Sequence, residues 1–244
     1  MLLLVAACGV SAPAAAQSSV DEGWRLLLDA DFEGAVAAFD AAEAETLTRA
    51  DLVRILEGRA FVHFASGDED AVRGALVRLV AVAPEHRFAP ETPPELRERF
   101  AELAGREALE LSVDVAVADD AARVEARATG DPGGLVRHVR VGARVGEEGE
   151  WVTAEDEPLR LPYDSARALF FYGEALGPGG AIVANDGSRE APHLRPGEDA
   201  GGELPWGWIG LGIGAAVAVA VVVTIVVVAT QPSDTVPTAP SFPP

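Results

Sequence analysis

The chain has 244 residues, a length that suits one or two domains. Its 39 acidic residues outnumber 19 basic ones, all of them arginine, and the net charge of −20 excludes a nucleic-acid reader or a polybasic grip on anionic lipid, both of which need clustered cations. A single cysteine excludes a disulfide framework and a cysteine zinc site, and four scattered histidines offer no ligand spacing, so no cofactor or metal is expected.

In chain order, Met1 to Val10 is a short apolar run, followed by Ser11-Ala12-Pro13 and then Ala14-Ala15-Ala16-Gln17. An apolar stretch before a small-x-small site reads as a secretory signal peptide over 1–16, cut after Ala16. Val5-Ala6-Ala7-Cys8 offers a second reading, because it resembles a bacterial lipoprotein box with Cys8 as the lipidated residue. On either reading the rest of the chain starts outside the cytoplasm.

Residues 17–108 read as helical. Gly23, Leu26, Leu27, Ala35, Ala38, Phe39 and Ala42 recur at three- and four-residue steps, and Asp29-Ala30-Asp31-Phe32 interrupts them as a polar turn. A second helix runs from Asp51, its expected N-cap, to Phe64. Ser66-Gly67-Asp68-Glu69-Asp70 is the next turn, and Ala71 to Val82 forms the partner helix, closed by Pro84. Gly23 to Gly58 and Leu26 to Phe61 are each 35 positions apart, and Ala35 to Ala71 is 36. Paired helices at this period resemble the tetratricopeptide repeat over about residues 18 to 84. Gly23, Leu26, Ala35, Phe39 and Ala42 fall on its small and large positions. The second unit departs inside its second helix, where alignment needs a shift of one residue. A third helix, Glu95 to Ala104, follows Pro93-Pro94. The resemblance implies an adaptor that binds another protein, whereas Leu26, Phe39 and Phe61 are themselves expected to be interhelix core.

After Leu109 the period becomes two. Leu111, Val113, Val115 and Val117 alternate, Val124, Ala126 and Ala128 alternate again, and Val136 to Val145 begins another run after a Gly-Asp-Pro-Gly-Gly breaker. Trp151 to Ala154, Leu159 to Leu161, Ala168 to Ala175 and Ala181 to Ala184 complete seven short strands, the pattern of a β-sandwich over 109–192. Their order resembles a fibronectin type III or immunoglobulin-like domain, without the cysteine pair of the latter. Trp151 and Tyr172 are expected to pack in the core or at an edge. The acidic runs Glu155-Asp156-Glu157 and Asp68-Glu69-Asp70 read as solvated loops, since consecutive acids point to different sides and do not form a calcium loop. His63 and His138 read as structural histidines among apolar neighbours. No catalytic elbow motif is present, and the chain is not expected to be an enzyme.

From Asp186 the sequence turns rich in Gly, Pro and acids, and 193–205 reads as a flexible stalk. Trp206 to Thr230 carries no charge, and the 21 residues from Ile209 to Ala229 span about 31 Å as a helix, the thickness of a bilayer core. Residues 206–230 therefore read as a transmembrane helix, with Trp206 and Trp208 at the membrane interface. Gly210 and Gly214 form a small-xxx-small pair that would let two such helices meet in a homodimer, although ordinary glycine enrichment of membrane helices explains them as well. The tail 231–244 has five prolines in fourteen residues and reads as disordered.

The expected fold is thus multidomain, α then β: helical hairpin repeats, a β-sandwich and a single transmembrane helix. The expected role is non-enzymatic. The expectation is a scaffold or binding protein that spans the bacterial inner membrane once, with its N-terminal bulk in the periplasm and the short tail 231–244 in the cytoplasm, and that holds another envelope protein. Attachment to cell wall or polysaccharide through the sandwich, with Trp151 as a stacking platform, is the alternative.

Overall fold

The computed structural model describes residues 14–104, 109–118, 120–131 and 133–197. Cys8, Trp206, Trp208, Gly210, Gly214, the span 206–230 and the tail lie outside them, as does the signal segment apart from Ala14–Ala16. No helix among the described residues is long and apolar enough to cross a membrane.

Five helices come first: α1 (Ala14–Leu28), α2 (Phe32–Glu43), α3 (Arg49–Ser66), α4 (Glu69–Val82) and α5 (Pro94–Leu103). They pack as pairs, α1 on α2 and α3 on α4, with α5 against α4. The turn before α2 places Ala30 at φ 59°, and the Asp31 side chain caps α2 by accepting the Gly34 N–H. Asp68 caps α4 in the same way through Ala71 N–H, and Gly67 ends α3 at φ 73°, a left-handed position that glycine adopts without strain. Asp51 is not the N-cap of α3. Thr48 is, and Asp51 sits three residues on, closing a reciprocal capping box with it.

The repeat is also offset differently from the spacing read in the sequence. Buried Ala35, Phe39 and Ala42 of α2 correspond to buried Val72, Leu76 and Leu79 of α4, an offset of 37. Gly23 and Gly58, 35 apart, both press on Phe39. The second unit therefore carries two more residues between its glycine and its capping aspartate.

The β region holds eight strands: β1 (Glu110–Ala118), β2 (Ala121–Thr129), β3 (His138–Val145), β4 (Val152–Glu155), β5 (Leu159–Pro162), β6 (Leu169–Leu176), β7 (Ile182–Asp186) and β8 (His193–Arg195). All seven expected strands form. They make two antiparallel sheets, ordered β1-β2-β5 and β4-β3-β6-β7. β8, at the start of the stretch read as a stalk, continues the line of β7 by pairing with the other half of the same β6 edge. Ala122, Val124, Leu159 and Leu161 of one sheet share a core with Val141, Ala143 and Leu169 of the other. Gly173 lets the sheets approach, because a Cβ there would lie 2.5 Å from Val113. At the open edge of β1, the Asp186 carboxylate accepts the Val113 N–H at 2.9 Å. That bond satisfies a strand group that would otherwise face no partner.

The helical and β regions are joined by a common core. Leu135, Ala175, Ala181 and Val183 belong to the same buried cluster as Phe39, Leu52 and Leu76. The turn between β6 and β7 reaches the α2–α3 loop, where the Leu47 N–H donates to the Gly179 carbonyl at 2.9 Å. The loop before β3 lies on α4, with Gly133 against the Arg78 stem. The β region therefore docks mainly on α2 and α4, with Leu52 of α3 beside the Gly177 turn.

Candidate functional site

α3 meets the β region through Leu52, while its positions Arg54, Glu57 and Phe61 belong with α1 to a different face. There an aromatic series runs across the helices. The Trp24 ring on α1 meets Phe61 of α3 edge-on at 5.9 Å, Phe61 meets Phe88 at 6.3 Å, and Phe88 meets Phe100 of α5 at 5.3 Å. His86 joins its lower end, 4.8 Å from the Phe88 centroid. Each contact is the T-shaped geometry that the ring quadrupole favours. Trp24, Phe61 and Phe88 are half-buried and pack on the core from its rim. Trp24 Nε1–H donates to the Arg54 carbonyl at 3.2 Å, which ties α1 to α3.

Two charged pairs border the rings. Arg54 meets Asp21 at 2.7 Å, both exposed. Glu57 lies 3.6 Å from His86 Nε2, both mostly covered. Burial raises the Glu57 carboxyl above its ordinary range, with His86 and then Arg54 opposing the shift. The face thus combines rigid aromatic edges, one exposed ion pair and one protected acid–imidazole pair. That composition suits contact with another chain, since interfaces favour aromatics and arginine.

The other residues singled out in the sequence fall in several places. Leu26 and Phe61 are half-buried, and Phe39 is fully buried. Trp151 lies on the outer side of the five-stranded sheet, where the Arg144 guanidinium stacks over its ring at 5.0 Å and over Phe170 at 4.8 Å. Tyr172 is buried across Gly142 and meets Trp151 edge-on. One face of Trp151 is therefore already covered. His63 and Asp70 line a cleft on the α3–α4 pair. Asp68 caps α4 and Glu69 pairs with Arg99. No group of three or more metal-ligating side chains occurs among the described residues.

His138 differs from its reading as a histidine among apolar neighbours. It is exposed, and its Nδ1 lies 2.7 Å from Asp156, whose other oxygen accepts the Val139 N–H at 2.9 Å. Asp156 holds the φ of 59° that this turn requires. The bond to Asp156 raises the His138 imidazole above its ordinary value, and the same bond, with the Val139 N–H, lowers the Asp156 carboxyl. The imidazole contribution is complete below the ordinary histidine value and fades as pH rises through the raised one. The carboxylate contribution is complete above the ordinary aspartate value and fades as pH falls through the lowered one. The pair acts fully between about pH 4 and 6.5. An NMR titration should place the His138 midpoint above that of an unperturbed histidine, and Asp156→Asn should lower it, with Glu155 keeping part of the shift. An unchanged midpoint in the variant would contradict the assignment.

Comparison with protein-family models, with curated proteins and with solved structures finds no match.

Proposed function

We propose that this chain is a membrane-anchored, exported scaffold of the bacterial envelope, non-enzymatic, which holds a partner protein on the α1–α3 face. The observation that carries the reading is the docking of the β region mainly on α2 and α4, because it leaves the aromatic series and the Asp21–Arg54 pair on a different helical face. The paired helices are read as a short tetratricopeptide-like unit. The β region is read as a fibronectin-like sandwich, since β4 pairs with β3 rather than with β5, unlike the fourth strand of a constant-type immunoglobulin domain. Residues 206–230 supply the anchor and orientation follows from the N-terminal signal, so the folded part stands in the periplasm.

The test uses the full-length tagged chain in native membranes with mild crosslinking and mass spectrometry. One or two proteins should be recovered reproducibly, and lost when Asp21 and Arg54 are exchanged as Asp21→Arg with Arg54→Glu. That exchange preserves an ion pair but reverses the charge layout of the face. Recovery that ignores the exchange, or recovery of nothing above background, would contradict the proposal. Recovery of glycan would favour attachment through the outer sheet face, where Trp151, Phe170 and Tyr172 gather.

A further inference from the structure

A second feature stands apart from the α1–α3 face and does not depend on its role. A cleft of about 540 Å³ opens on the α3–α4 pair beside the loop before β3. That volume falls within the range of small-molecule sites. In a chain of net charge −20, its walls carry Arg59 and His63 from α3 and Arg73 and Arg78 from α4, with Asp70 as the acid among the lining residues.

The guanidiniums are incompletely matched. One Glu43 oxygen serves both Arg59, at 3.1 Å, and Arg78, at 3.6 Å, while Asp40 takes the other arm of Arg59. The Nε atoms of Arg59 and Arg78 are buried without an acceptor. Arg73 is exposed and makes no hydrogen bond or ion pair among the described residues. Burial lowers the Arg78 guanidinium below its ordinary range. Glu43 resists that shift, and Arg59 and Arg137 add to it.

Ala71, Gly74 and Ala75 also line the cleft. Gly74 is interior to α4, where glycine is a poorer helix former than alanine. No protein atom lies within 4 Å of a Cβ built there, so no neighbour in the fold demands the glycine. A missing side chain of this kind suits the close approach of a ligand.

We propose that this cleft binds a small ligand bearing an oxyanion, a carboxylate or a phosphate, gripped by Arg73 with Arg59 and Arg78. The planar guanidinium fork matches both groups. A polyanion is the wrong size and would meet the field of the whole acidic chain.

Calorimetry on the full-length chain in an uncharged detergent tests this with sodium phosphate, glutarate and, as a neutral control, glutaramide. At least one anion should bind with a Kd below about 1 mM, and glutaramide should not. Phosphate alone, glutarate alone or both binding identifies the source of the oxyanion. Arg73→Gln should weaken binding at least about tenfold. Gly74→Glu, which places a carboxylate in the cleft, should abolish it, with the circular-dichroism spectrum unchanged in both variants. Gly74→Ala should fold with an equal or higher Tm. No binding of either anion to about 10 mM, or affinity unchanged by both Arg73→Gln and Gly74→Glu, would overturn the proposal without touching the role of the α1–α3 face.

Discussion

Phe39→Ala should destabilise the protein by about 3–5 kcal/mol, the range for truncating a fully buried phenylalanine, and lower Tm by about 10 °C for a chain of this size. Phe39 has no exposed surface and sits where three helices converge. Its ring is enclosed by Gly23 of α1 and Gly58 of α3, where an added Cβ would approach to 2.5 Å and 2.4 Å. Trp24 closes it edge-on from α1. A second variant separates packing from helix propensity. Gly58→Ala should destabilise the wild-type chain, because the methyl group meets a ring that has no room to retreat. In the Phe39→Ala background the same substitution should be neutral or stabilising, since alanine is the better helix former by about 1 kcal/mol and the clash is gone. Urea denaturation of the four chains measures the coupling. An equal cost of Gly58→Ala in both backgrounds would show that the glycine does not act through Phe39.

Gly179→Ala should loosen the β region from the helices and cost more than Gly180→Ala. Both glycines hold positive φ, 61° and 76°, so each substitution carries a left-handed strain of about 1–2 kcal/mol. Only Gly179 touches the helical region. A Cβ there would fall 2.2 Å from the Glu45 carbonyl oxygen and 2.9 Å from the Leu47 nitrogen, both backbone atoms that have no rotamer to move. Nothing lies within 4 Å of the equivalent position on Gly180. The extra cost, about 1–3 kcal/mol, is the lost Leu47 N–H bond together with exposure of the otherwise buried Leu47 side chain. Two probes should then separate: the helical signal by circular dichroism, and the environment of Trp151 in the β region by fluorescence in a chain whose other tryptophans are replaced by phenylalanine. Equal losses for Gly179→Ala and Gly180→Ala would contradict the docking contact.

The periodic parts of this fold are legible in the sequence for a simple reason. β1 and β2, the two strands read from alternation, each put one face toward the core, through Val113, Val115 and Val117 and through Ala122 and Val124. Buried Ala35, Phe39 and Ala42 of α2 recur at helical steps, whereas α4 is buried almost continuously from Ala75 to Val82. β8 is exposed along its length, so burial leaves no alternation to read. It is held by backbone pairing to β6 and by the 2.6 Å contact of His193 with Asp186. The joint between the regions is equally hidden, because Leu47, Leu135 and Gly179 sit in loops where no period applies. The capping box misled by three residues, since Asp51 and Thr48 share the same helix start and either residue type caps well. Of the candidate surface, Phe61 is read as a helical position, but Trp24 falls outside the repeat positions read from the spacing and Phe88 enters from a loop, so the aromatic series is complete only in three dimensions. The arginine cleft draws on positions 59, 73 and 78, which become neighbours once α3 and α4 fold back on one another.

A photo-crosslinking amino acid placed at Asp21 in the intact cell would test the proposed function most directly, with Arg160 on β5 as the comparison site. Both residues are exposed, and they belong to the α1–α3 face and to the β region respectively. The scaffold reading requires adducts from position 21 to one or two envelope proteins, and none to the same proteins from position 160. Adducts to cytoplasmic proteins, or the same adducts from both positions, would contradict it.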